Sequence, residues 1–156
     1  MFHYQPYELA LSSKLVDTIK LFGIELLHVH YAIPHAYAGY MAKKMLEEEG
    51  IYIPMVTTLH GTDITLVGKH PFYRPAVNFS INQSDVVTSV SQNLKESTLE
   101  LFDIKNEIEI FDWSGDDTSS VSNIIADALS NANGILTADA EDVRKRISES
   151  LEKEYS

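Results

Sequence analysis

VTTLHGTDIT (residues 56–65) runs from an apolar, β-branched stretch straight into His60, Gly61, Thr62 and Asp63. A strand that only fills a core ends in a bland turn. This one ends in an imidazole, a glycine, a hydroxyl and a carboxylate, and the carboxyl end of a strand is where open α/β sheets place their ligands. The segments on either side fit that reading. Upstream, YELALSSKLVDTIKLF (7–22) carries Leu11, Leu15, Ile19 and Phe22 on one helical face and is stopped by Gly23. IELLHVH (24–30) reads as a buried strand, and the stretch from Pro34 to Gly50 as a helix with proline at its start and glycine past its end.

Downstream, a helix is predicted from about Tyr73 to Gln83, a strand over SDVVTSVS (84–91), a helix over 92–102 with Ser91 as its N-cap, and a strand over NEIEIF (106–111). Strand and helix alternate throughout. That is the signature of a parallel sheet, here an α/β fold with a partial Rossmann-like sheet of about four strands and helices on both faces.

The composition changes at Asp112. Residues 1–111 hold eight Lys/Arg and thirteen Asp/Glu, whereas residues 112–156 hold four and ten, so the shorter segment is the more acidic per residue. It reads as a polar linker followed by two helices, 118–131 and 139–154, an acidic helical tail attached to the 1–111 unit. The whole chain carries a net charge of -11, which argues against a nucleic-acid partner, since phosphate backbones select basic faces. An anionic small molecule is not excluded, because one local cation suffices. The absence of cysteine removes disulfides, thiolate metal sites and thiol nucleophiles. No apolar run nears the roughly 20 residues that span a bilayer, and MFHYQPYELA has no signal-like core, so a cytoplasmic protein without membrane contact is expected.

Two strand ends carry the chemistry: HVHYAIPH, with His28, His30, Tyr31 and His35, and TTLHGTD. In a parallel sheet both lie on the same side and converge. Four histidines near Asp63 invite a metal reading, but no H-E-x-x-H spacing is present, and no metal or other cofactor is expected. His28 reads as a buried, hydrogen-bonded strand residue. There is no G-x-S-x-G elbow and no glycine-rich phosphate loop. What remains is recognition of a sugar or an acid. His60 can donate to a hydroxyl or a developing oxyanion, or it can simply fix its loop. Gly61 lets a ligand approach the backbone. Thr58, Thr62 and Tyr31 offer neutral hydroxyls. Asp63 either accepts from sugar hydroxyls or caps the helix that follows.

HVHYAIPHAYAGYMAK, VTTLHGTDIT and SDVVTSVSQNLKE, in that order, resemble the family 4 retaining glycosyltransferases over about residues 2–111. The likeness is to the branch of that family that acts in bacillithiol biosynthesis. The resemblance implies two Rossmann-like domains with the active site between them, and transfer of N-acetylglucosamine from UDP-N-acetylglucosamine to L-malate with retention and without a bound metal. It implies that His60 is catalytic and faces the donor sugar, that Tyr31 and Thr58 help hold the malate, and that Arg74 is a cation near the acceptor carboxylates. The family's opening strand with its glycine-rich loop and its nucleotide-binding domain have no counterpart in this sequence. The chain is therefore expected to be an incomplete, inactive acceptor-side part joined to an unrelated tail. The alternative is a non-catalytic binding or interaction module. The apolar strand at 24–30 is expected to be covered at its edge, by the tail, by a second copy or by a complementary fragment.

Overall fold

The computed structural model describes residues 6–110. The helix α1 (Tyr7–Phe22) ends where the sequence places its stop: Gly23 takes the left-handed conformation, φ 63°, and its N–H returns to the carbonyl of Ile19. The first strand, β1 (Leu27–His30), begins three residues later than the apolar run. It is followed by an irregular wide turn over Ala32–Ala36 and then by α2 (Tyr37–Glu47). Pro34 does not open that helix as expected. Ile33 is extended (φ -131°, ψ 144°), so the helical hydrogen-bond ladder starts only beyond the turn.

The second strand, β2 (Met55–Leu59), leads into a wide helical turn over Thr62–Val67 where the sequence reads as a loop. Then come α3 (Arg74–Asn82), β3 (Val86–Ser89), α4 (Gln92–Leu101) and β4 (Ile108–Ile110). Ser91 caps α4, its Oγ accepting the N–H of Leu94 at 3.2 Å. The linker and helices expected over 112–156 lie outside the described residues.

The four strands are parallel and lie in the order β1-β2-β3-β4. Their register puts Leu27, Val29, Met55, Leu59, Val87 and Ile108 on one face. These residues form two buried clusters with Ile19 of α1, Leu46 of α2, Val77 and Ile81 of α3, and Leu94 of α4. All four described helices therefore pack on the same side of the sheet, not on both. The reason is topological: strands laid down in chain order, joined by crossovers of one hand, send every connection past the same face.

The opposite face carries His28, His30, Val56, Thr58, Val86 and Thr88. Among the described residues β1 has one strand neighbour, β2, and its side chains alternate between buried and exposed. None of the described helices is long and apolar enough to cross a membrane.

Candidate functional site

The ends of β1 and β2 do converge. His30 and Thr58 are register partners, and one further backbone bond, Tyr31 N–H to the carbonyl of Thr58 at 2.9 Å, extends the pairing past the strand end. Tyr31 then turns sharply with φ 75°, the one positive-φ residue other than glycine among those described. A side chain there costs on the order of 1–3 kcal/mol and persists only where its surroundings hold it. The turn swings the Tyr31 ring against His60, 4.8 Å between centroids, and toward His35 at 6.1 Å.

The imidazoles form a contiguous group. His28 and His30 share a pleat, their rings 4.7 Å apart. His30 Nδ1 lies 2.7 Å from His60 Nε2. His35 Nδ1 donates to the backbone carbonyl of His30 at 2.7 Å, and its Nε2 lies 3.4 Å from the hydroxyl of Tyr7 on α1. His28 Nε2 is bonded to Thr58 Oγ1 at 2.8 Å, and Thr58 Oγ1 in turn to Thr88 Oγ1 at 2.7 Å. His28 is thus hydrogen-bonded as expected, but it is exposed where a buried residue was anticipated. The apolar run around it misled, because β1 alternates. Partial burial, together with His30 and His60, lowers its pKa from the ordinary 6.5 to about 4. Burial, then His60 and His35, hold His30 below the ordinary value as well. Crowded imidazoles disfavour each other's cationic form. Among the described residues no three His, Cys, Asp or Glu side chains are arranged to hold a metal ion.

The remaining candidates take distinct places. Gly61 opens the wide turn with φ 110°, and its carbonyl accepts the N–H groups of Ile64 and Thr65. Thr62 is exposed beside it. Asp63 is 2% exposed. Its Oδ1 accepts the backbone N–H of His60 (3.2 Å) and of Gly61 (2.9 Å), and its Oδ2 that of Ala32 (2.9 Å). The carboxylate therefore clasps two loops together rather than capping a helix. Thr58 is fully buried and meets the cluster from beneath, through His28. Arg74 is turned to the far end of α4, donating to the carbonyl of Leu101 at 2.5 Å and lying over the ring of Phe102. Among the described residues no hydrogen bond or ring contact joins Arg74 to the clustered histidines.

His30, Thr88 and Tyr7 take part in this network; the sequence reading placed His30 in the strand-end cluster without a binding or catalytic role, and named neither Thr88 nor Tyr7 as a site residue. His30 had a usable signal. Lying two residues from His28 on one strand, it must share its face. The contributions of Thr88 and Tyr7 are long-range and leave no local pattern.

The chain matches the family model described as Glycosyltransferase Family 4 over residues 1–111. It is 48% identical over 109 residues to the N-acetyl-alpha-D-glucosaminyl L-malate synthase of Bacillus anthracis, covering 70% of this chain and 28% of that enzyme. It is 33% identical over 73 residues to an uncharacterised glycosyltransferase of Methanocaldococcus jannaschii, covering 47% of this chain and 19% of the relative. The chain thus spans under a third of the length of either relative. With the motif-bearing strand ends inside the matched region, the chain belongs to glycosyltransferase family 4.

Proposed function

We propose that residues 1–111 form the acceptor-side part of a retaining glycosyltransferase that joins N-acetylglucosamine, carried by UDP, to L-malate. The observation that carries the reading is the convergence of Tyr31, His30 and His60 at the carboxyl ends of β1 and β2. The Bacillus anthracis relative, named for the N-acetyl-alpha-D-glucosaminyl L-malate it makes, supports the substrate class.

In this reading His60 faces the donor sugar, and Tyr31, Thr62 and the backbone at Gly61 address hydroxyl and carboxylate groups. Thr58 acts from below, through His28. Asp63 holds the loop, and Arg74 must leave the Leu101 carbonyl before it can meet an acceptor carboxylate. Departure of the UDP group requires donors aimed at its phosphates. Residues 1–111 hold no glycine-rich phosphate loop, and in this reading they do not turn over by themselves.

Two measurements test this. Mixing the chain with UDP-N-acetylglucosamine and L-malate should release no UDP above background, and sustained release would refute the inactivity. L-malate alone at millimolar concentration should shift the amide resonances of residues 28–31 and 58–62, less so in His60→Ala. Unmoved resonances there would refute the acceptor-side assignment and leave a non-catalytic module.

A further inference from the structure

We propose that His30 is a positioning residue for His60, accepting the Nε2–H of His60 at its own Nδ1 and so leaving the lone pair of His60 at Nδ1. The two ring nitrogens lie 2.7 Å apart. At that distance one proton sits between them, since two N–H groups cannot face each other. The pair therefore carries at most one positive charge.

The direction follows from tautomer chemistry. If His60 donates, both rings are protonated at Nε2, the form a substituted imidazole prefers. If His30 donates, both rings must adopt the less favourable Nδ1–H form. The crowding around His30 favours its neutral state.

The surroundings hold both partners in place. The carbonyl of His30 receives the Nδ1–H of His35. The backbone N–H of His60 is held by Asp63, and its ring lies against Tyr31. His60 is thus fixed at its backbone by Asp63 and at its ring by His30. Its Nδ1 makes no hydrogen bond among the described residues. A lone pair there suits a ligand hydroxyl that donates, and this consequence rests on the proposed function. The tautomer itself does not.

The test is a long-range proton–nitrogen spectrum of the full ¹⁵N-labelled chain without ligand, at about pH 8, above the ordinary imidazole range. The His60 signals are assigned by their loss in His60→Ala. The wild type should show His60 protonated at Nε2. His30→Ala should move both nitrogens toward the averaged pattern of a freely exchanging ring. His30→Asn, whose Oδ1 stands where Nδ1 stood, should restore the wild-type pattern, and His30→Gln, whose amide reaches further, should not. Should His30→Ala fail to fold, the contrast between Asn and Gln decides the matter. A His60 ring protonated at Nδ1 in the wild type, or a pattern indifferent to residue 30, overturns the proposal. Because no ligand is present, this result is independent of whether malate or a nucleotide sugar binds.

Discussion

The carboxylate of Asp63 lies 2.9 Å from the backbone nitrogen of Ala32, across 31 residues of chain, and ties the turn after β2 to the turn after β1. The same group holds the amides of His60 and Gly61. Removing it leaves buried N–H donors without an acceptor. Asp63→Ala should therefore lower the unfolding free energy by about 3 kcal/mol. Asp63→Asn, which turns a donor toward at least one of those donors, should cost at least about 1 kcal/mol. Urea denaturation reads both, and a neutral Asp63→Ala would show that the clasp contributes nothing.

A second expectation concerns acid. His28 in the folded chain has a pKa of about 4 against an ordinary 6.5. The folded state thus binds fewer protons than the unfolded state between those values. The stability contributed by neutral His28 is complete above pH 6.5 and is lost as pH falls toward 4. The exposure of His28 makes the loss smaller than the full shift implies. His28→Gln, which keeps a polar group at the Nε2 position without titrating, should flatten that part of the stability curve. Identical acid curves for the two proteins would count against it.

Tyr31 gives a test of backbone strain. Its φ of 75° favours glycine over any residue with a Cβ. Both Tyr31→Gly and Tyr31→Ala lose the ring contacts, but only glycine relieves the backbone. The glycine variant should be the more stable of the two by about 1 kcal/mol. Thermal denaturation of the pair compares them without reference to the wild type, and an alanine variant of equal or greater stability would be the adverse result.

Gly68 and Gly39 make a contrasting pair. A Cβ at Gly68 would meet two backbone carbonyl oxygens, those of Asp63 and Ile64, at 2.6 and 2.7 Å, and Phe102 at 2.7 Å. At Gly39 the closest atom is the Met55 sulfur, at 2.6 Å, the far part of a flexible side chain. Gly68→Ala should cost roughly 1–3 kcal/mol, and Gly39→Ala less. The reverse order in a denaturant titration would mean that the turn around Gly68 yields more readily than its geometry implies.

What was legible in the sequence was local. The stop at Gly23 and the cap at Ser91 involve partners within five residues, and both were read correctly. The alternation of strand and helix gave the parallel sheet. The side of the sheet on which the helices lie was not legible, because it depends on strand order, which periodicity does not encode. Nor was the start of α2, since Pro34 sits in a turn shaped by the Tyr31 backbone and the Asp63 carboxylate. At the site, the convergence of two strand ends followed from parallel pairing alone. The reach of Arg74 to Leu101 and the link from Thr58 through His28 are tertiary, and no pattern in either segment announces them.

The strand order also bears on how the chain acquires its shape. Leu27 pairs with Met55, Val56 with Val86, and Val87 with Ile108, so every strand finds its neighbour in the next one along. Among the described strands no pairing waits for a remote segment, and the loop-closure cost of each step stays modest. A chain emerging from the ribosome can therefore add these four strands in chain order, each β-α unit docking on those already formed. Interruption after β3 leaves a narrower sheet of the same architecture, with the histidine-bearing ends of β1 and β2 already side by side.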